Sequence, residues 1–198
     1  MNDCDCVKGV ISRVEGGITE VQRCELLHRV GTDGSLGEVQ KGGGIMNEPI
    51  GSTIWEFNGV YGFLSNFSRH PVTYQGYPCP TAEHAFQLAK ARSSQEAACI
   101  ARAPTPTAAK KLGRQVQLRV DWEDVKVDIM REVLTLKFMG NPVLVPHLVD
   151  TWPARLVEGN SWGDKFWGCC IKSGEGKNML GHLLTELRET FTAICGRP

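Results

Sequence analysis

The chain has 198 residues, with 41% hydrophobic and 22% charged side chains and a formal net charge of zero. These values are typical of a soluble globular protein, and no apolar run approaches the roughly 20 residues that a membrane-spanning helix needs. The first residues are polar and acidic without a following apolar run, so no secretory signal is predicted and a cytoplasmic location is the expectation. Net neutrality also disfavours tight, nonspecific binding to nucleic acid.

Residues 1–50 differ in composition from the remainder of the chain. They contain nine glycines and carry eight acidic against five basic side chains. Their short alternating segments are compatible with a small β-meander or with a poorly ordered extension. Aromatic residues become frequent from Trp55 onward. We therefore predict an N-terminal extension of unknown role over residues 1–50 and one domain over residues 51–198.

The chain contains eight cysteines. Without a secretory signal, free thiols are favoured over disulfides. Cys4, Cys6, Cys24 and His28 could be assembled into a zinc set, but their spacing does not match the paired-knuckle pattern of zinc sites. We predict no metal and no cofactor.

Strands and helices are both predicted in the domain. A strand begins at Ile54, and residues 72–79 form a hairpin around a Gln-Gly turn. Helices are predicted over residues 107–113 and 122–140, and a last helix follows Asn178 as its N-cap. A short helix after Asn141 is expected to start late or to kink, because Pro146 would cost about 3 kcal/mol in a helix interior. Residues 156–158 are predicted to form a short buried strand. The fold class is thus α+β, a mainly α-helical single domain with a small β-rich or flexible N-terminal extension.

An acid near a helix start is the best catalytic candidate. Thr81 is predicted to cap a helix that runs to about Arg92, with Glu83, Gln87 and Lys90 on one polar side. The free amides at the helix start favour the ionised form of Glu83, whereas burial among apolar neighbours disfavours it. Groups held between such forces often act in catalysis. The alternative is an acid that only caps and charges its helix.

Basic residues are concentrated in one stretch. Seven Lys or Arg residues lie between positions 90 and 119, against the single acid Glu96. Such a stretch suits a phosphate-bearing ligand, and a solvated helix face explains it equally well.

Two loops have the composition of ligand-binding segments. Residues 174–178 read Gly-Glu-Gly-Lys-Asn before a helix, a favourable arrangement for an anion, although a tight turn explains the glycines equally well. The segment is not a Walker A loop, because Ile171 and Asn178 occupy positions that need Gly and Ser or Thr. Asp164 lies between Trp162 and Trp167, which either stack on a bound base or belong to the core around a turn.

These pieces together resemble one family. They are Gly-x-x-Ser-Asn-Phe at 62–67, Pro-Thr-x-Glu-His-x-Phe-Gln at 80–87, Trp122, Lys137-Phe138 followed by Asn141-Pro142, Leu156-Val157-Glu158, Asp164-x-x-Trp167-Gly168, and Gly-x-Gly-x-Asn-x-Leu-Gly at 174–181. In this order they resemble the NADAR superfamily and its YbiA-type N-glycosidases over about residues 54–194.

The resemblance implies hydrolysis of an N-glycosidic bond to a ribose phosphate, with early riboflavin-biosynthesis intermediates as the expected substrates. The alternatives are an ADP-ribosyl hydrolase acting on guanine in nucleic acid, and a module that binds ADP-ribose or NAD without turnover. A small phosphorylated ribosyl compound is thus the expected partner, ADP-ribosylated nucleic acid a possible one, and no membrane is expected. By motif position, the resemblance implies Glu83, Asp164 and Trp122 as catalytic residues. The candidate substrate contacts are Gly62, Asn66, Trp167, Lys111, Arg114, Gly174, Gly176, Lys177 and Asn178.

Overall fold

The computed structural model describes residues 52–195, and the predicted extension over residues 1–50 lies outside them. Within the described range the chain forms six α-helices, one 3-10 helix over Gly59–Leu64, and six short strands. The helices are α1 (Ala82–Leu88), α2 (Ser94–Ala101), α3 (Pro106–Gly113), α4 (Trp122–Gly140), α5 (Leu144–Val149) and α6 (Met179–Cys195). The strands are β1 (Thr53–Ile54), β2 (Val72–Tyr74), β3 (Tyr77–Cys79), β4 (Arg155–Leu156), β5 (Gly159–Asn160) and β6 (Cys169–Cys170).

The strands form three separate pairs. β1 lies parallel to β4, β2 antiparallel to β3, and β5 parallel to β6. Helices supply most of the remaining structure, so the α+β, mainly helical class predicted from the sequence is confirmed. In residues 52–195 no helix is both long and apolar enough to cross a membrane.

Helix α4 lies at the centre of the core, in contact with α1, α5, α6 and the β2 strand. Its buried side chains Ile129, Val133 and Phe138 follow the helical period that predicted the helix. The Phe138 ring packs against Phe191 of α6, with ring centroids 6.3 Å apart. Burial of this apolar stripe on two long helices supplies a rigid support for the shorter elements around it.

Two local predictions are confirmed by backbone geometry. The β2–β3 hairpin turns at Gln75 and Gly76, whose φ angles of 50° and 81° are the left-handed values that a tight hairpin turn requires. The side chain of Thr81 caps α1 by accepting a hydrogen bond from the amide of His84.

Other boundaries differ from the prediction. Helix α1 ends at Leu88 instead of Arg92, and the unpredicted helix α2 begins at Ser94. The Ser93 hydroxyl accepts from the amide of Glu96 and donates to its carboxylate, a Ser-x-x-Glu capping arrangement that the sequence already contained.

Helix α5 also begins later than the segment after Asn141, as expected from its proline. Pro146 occupies the third position of α5, where a backbone N–H would have no partner within the helix. The strand predicted at residues 156–158 is instead formed by Arg155 and Leu156.

A buried lysine joins α4 to the segment that precedes the candidate site. Lys137 is fully buried, and its Nζ donates to the carbonyl oxygens of Phe63 and of Ser65, the latter at 2.9 Å. Burial lowers the pKa of this amine to about 7. The carbonyl of Asn66, next in the chain, accepts a hydrogen bond of 2.9 Å from the amide of Glu83. Lys137 therefore fixes the backbone that contacts the first turn of α1.

Candidate active site

Glu83 lies in the first turn of α1 and is only 5% exposed. Gln87, one turn later, donates from Nε2 to Glu83 Oε1 at 2.8 Å. Lys90 lies two residues beyond the end of α1 and acts electrostatically on Glu83. The polar side of the helix predicted from the sequence is therefore present, and its acid is buried.

The ionisation of Glu83 is set by opposing forces. Burial raises its pKa, while Lys110, the hydrogen bond from Gln87, Lys90 and Arg114 lower it, in that order of effect. Burial is the largest of these causes and the pKa is raised overall. The balance of forces was predicted, but the favourable charges come from side chains on α3 and just after the ends of α1 and α3, whereas the sequence interpretation assigned them to helix-start amides.

Lys110 is a site residue that the sequence interpretation missed. Ala109 and Gly113 are buried on α3, and Lys110 beside them acts on Glu83, whereas Lys111 is exposed and does not figure among the charges acting on that acid. The basic run alone gave no way to choose between adjacent lysines, because the orientation of α3 is set by its packing. Lys111 as a phosphate contact stays a prediction.

Three aromatic rings form a cluster around Phe86 of α1. Phe86 of α1 contacts Trp122 at a centroid distance of 5.2 Å and meets Trp167 edge-on, also at 5.2 Å. Lys90 Nζ lies 5.3 Å from the Trp122 ring centroid. Trp122 is almost completely buried, so its side chain forms part of a wall and does not offer an open face for stacking.

Asp164 is held by the backbone of its own loop. Its Oδ1 accepts hydrogen bonds from the amides of Phe166 and Trp167, and its amide donates to Asn160 Oδ1. Asp164 is thus a turn former, one of the two roles considered for it, and it is only partly buried. Trp162 is 67% exposed and does not belong to the core.

Glu158 is a second acid that the sequence interpretation missed. Burial, then the charges of Asp164 and Glu83, raise its pKa to about 7, while Lys110 lowers it. The three acids and Lys110 therefore occupy one electrostatic neighbourhood. The signal for Glu158 was an acid at the end of the buried strand predicted over residues 156–158, to which only a structural role had been given.

The start of α6 does not offer free amides to an anion. The amides of Lys177, Asn178, Met179 and Leu180 donate to carbonyls of residues 165–168. The prediction of an anion cradle is therefore wrong for these amides, because the preceding loop occupies them. Lys177 itself is exposed, with Nζ 5.5 Å from the Phe166 ring centroid.

The side chain of Asn178, the residue before α6, connects this helix start to the segment after β4. Its side chain donates to the carbonyl of Leu156 and accepts from the amide of Glu158, both within 2.9 Å. The residue is buried, so its amide group is committed to the backbone that carries Glu158. Asn178 does occupy the predicted position before α6, where its carbonyl accepts a hydrogen bond from the amide of His182.

The remaining predicted contacts are spread over two segments. Gly62 lies on the 3-10 helix with open space beside its Cα, and Asn66 is buried with Oδ1 lacking a hydrogen-bond partner. Gly174 and Gly176 are exposed, with φ angles of 70° and 150°. Their contacts with substrate stay predictions.

Two other features of the described residues bear on the location of a site, namely possible metal ligands and an open cavity. No group of three or more His, Cys, Asp or Glu residues is arranged there to hold a metal. A cavity of about 440 Å³ opens between the 3-10 helix and α5, and Glu83, Glu158 and Asp164 do not line it. The four residues of the considered zinc set lie outside the described range.

The sequence and the fold agree with one protein family. The family model described as "NADAR domain" matches residues 54–192, and the chain belongs to this family. The Escherichia coli N-glycosidase YbiA is 41% identical over 131 residues, which cover 65% of this chain and 81% of that protein. The solution structure of E. coli YbiA superposes with a TM-score of 0.65 at 37% identity, covering 75% of this chain and 90% of that one.

Two further relatives extend the comparison. An N-glycosidase of Nostoc punctiforme is 42% identical over 141 residues, covering 69% of this chain and 87% of the relative. A riboflavin biosynthesis protein of Vibrio vulnificus is 35% identical over 147 residues, covering 73% of this chain and 39% of that protein. The resemblance stated from sequence motifs is confirmed, and so is the predicted class, hydrolases of N-glycosyl bonds.

Proposed function

We propose that this chain hydrolyses the ribosyl C–N bond of a phosphorylated nucleoside-like metabolite, with early riboflavin-biosynthesis intermediates as the substrates. The observation that carries the proposal is a pair of carboxyl groups in unlike environments, Glu83 among cations and Glu158 among acids. Relatives that are N-glycosidases support the reaction class. A relative with a role in riboflavin biosynthesis supports the substrate.

Breaking this bond develops positive charge on the ribosyl carbon and negative charge on the leaving base. Glu83 meets the first need. Lys110, Lys90 and Arg114 favour its carboxylate form against burial. The ionised group stabilises the ribosyl cation and accepts a proton from the water that adds to the same carbon. The new C–O bond thus replaces the C–N bond.

Glu158 meets the second need. With a pKa of about 7 it is protonated in a substantial part of the molecules at neutral pH, and it donates that proton to the leaving nitrogen. Asp164, whose Oδ1 orders the loop, contacts the ribose. In this assignment the acid role considered for Asp164 passes to Glu158.

The surrounding side chains select the substrate. Phe86, Trp122 and Trp167 wall in the base and exclude water, which strengthens the electrostatic effects in the site. The half-buried Lys110 attracts the substrate phosphate, with the exposed Lys111, Arg114 and Lys177 as further contributors. Phosphorylated substrates are therefore hydrolysed faster than their dephosphorylated forms.

The deciding experiment incubates wild type and Glu83→Gln with riboflavin intermediates, ADP-ribosylated guanine DNA and NAD. We expect wild type to release base and ribose phosphate from the intermediates, and the variant to be slower by about 10³-fold, within the range for loss of an acid or base group. Near-wild-type turnover by Glu83→Gln would refute the assignment of Glu83. Turnover of the DNA alone would favour the ADP-ribosyl hydrolase, and binding without turnover a recognition module.

A further inference from the structure

Gln87 joins the Glu83 carboxylate to helix α3. Its Nε2 donates to Glu83 Oε1 at 2.8 Å, and the residue is 3% exposed. On its other side Gln87 faces Gly113, where an added Cβ would lie 2.1 Å from Gln87 Oε1 and 2.9 Å from its Cβ. Real Cβ atoms do not approach other atoms this closely. Any residue larger than glycine at this position would therefore displace the Gln87 side chain.

The orientation of the Gln87 amide is determined by Glu83. Gln87 Oε1 is buried without a hydrogen-bond partner, a situation that costs free energy. Reversing the amide would place that oxygen against the Glu83 carboxylate and would lose the hydrogen bond. The observed orientation thus favours the acid at the expense of an unpaired oxygen, which is unlike a residue retained for packing alone.

We propose that Gln87 is a positioning residue for Glu83, and that Gly113 keeps the Gln87 amide in place because it has no side chain. The inference rests on the proposed function, since that function gives Glu83 its catalytic role. The hydrogen bond fixes Oε1 and leaves Oε2 as the oxygen that faces the reaction.

The hydrogen bond also affects ionisation in a defined direction. The charged groups that act on Glu83 are Lys90 just beyond the end of α1, Lys110 on α3, Arg114 at the C-terminal end of α3, and Glu158 on the segment after β4. The bond from Gln87 adds to the effect of the three cations, because a donor stabilises the ionised form. Its loss raises the pKa of Glu83. If ionised Glu83 is required, the acidic limb of the rate profile then moves to higher pH.

The test compares three variants. Gln87→Met removes the N–H donor from a side chain of similar length, and Gly113→Ala displaces the amide without changing Gln87 or Glu83. Gly140→Ala is the matched control, because its Cβ would find Pro71 O at 3.8 Å, an ordinary contact. The measurements are kcat/KM against pH and an infrared titration of the Glu83 carboxyl, identified by its loss in Glu83→Gln.

We expect the acidic limb of the kcat/KM profile and the infrared midpoint of Glu83 to move up by about one pH unit in Gln87→Met and Gly113→Ala. At pH values below that limb kcat/KM then falls about tenfold, while the maximal kcat/KM is kept. Gly140→Ala should match wild type. An unmoved limb and midpoint in both variants would overturn the inference, because a purely structural role changes rate or stability without moving a titration. If Gln87→Met does not fold, Gly113→Ala decides alone.

Failure of the inference is distinguishable from failure of the proposed function. An active wild type, an inactive Glu83→Gln and unmoved profiles in the other variants would reject the positioning role and leave the function intact. If wild type turns over no substrate, the proposed function fails, and the infrared midpoint still decides whether Gln87 and Gly113 control the Glu83 carboxyl.

Discussion

The two halves of the candidate site are constructed in different ways. In the α1–α3 half, Glu83 and Gln87 share a face of α1, and their relative placement follows from helical periodicity. In the loop half, residues 156–180, side chains are placed by backbone hydrogen bonds between distant segments. The helical half places cations around Glu83, whereas the loop half places Asp164 beside Glu158. The difference teaches that burial raises the pKa of both acids, and that side-chain cations oppose this rise at Glu83 whereas a neighbouring acid adds to it at Glu158.

The loop half depends on close backbone approach. A Cβ at Gly168 would lie 2.1 Å from Glu158 O and 2.8 Å from Asn160 Nδ2. We expect Gly168→Ala to lower the free energy of unfolding by about 3 kcal/mol, at the upper end for overpacking, and to abolish most activity by displacing Glu158. Urea unfolding checks the first effect. Gly140→Ala is the control, and equal stability of the two variants would mean that this approach is not required.

The acidity of the loop half can be tested at Glu158. Because the proposed acid must be protonated, wild-type kcat/KM should fall as pH rises through about 7. Glu158→Gln should lower kcat/KM by about 10²-fold at pH 6, a usual contribution of an acid group. It should also lose the fall near pH 7. The exposed Glu175 gives the matched control, Glu175→Gln. An unchanged profile in Glu158→Gln would return the acid role to Asp164.

Lys110 couples the two halves, because it lowers the pKa of both Glu83 and Glu158. We expect Lys110→Met to raise both pKa values and to move both limbs of the kcat/KM profile to higher pH. Below the acidic limb the rate should fall about tenfold for each pH unit moved. Lys172→Met, at an exposed position, is the control. If only one limb of the profile moved, Lys110 would act on only one of the two acids.

The predictability of the site follows the same division. The polar side of α1, the Thr81 cap and the buried stripe of α4 depend on neighbours within one helical turn, so the sequence alone indicated them. Helix α2 had its Ser93–Glu96 capping pattern and was overlooked. These elements are local, and local patterns suffice to find them.

The loop half was less predictable for a physical reason. The position of Glu158 depends on Asn178, 20 residues later, and on the amide of Cys169, which donates to the Glu158 carbonyl. No short-range pattern encodes such partners. The start of α6 gave the opposite error, a binding site predicted where the amides are not free. The sequence could not reveal that the carbonyls of residues 165–168 would accept hydrogen bonds from these amides.

Lys137 makes folding itself a reaction that releases protons. In residues 52–195 none of the ion pairs includes this amine, and its pKa of about 7 in the folded protein lies below the ordinary lysine value of 10.5. Between these values the unfolded chain binds more protons, so the contribution of this group to stability increases as pH rises from about 7 to 10.5. Below pH 7 its burial penalty is present in full. The backbone contact beneath Glu83 is therefore more secure in mildly alkaline solution than in acid.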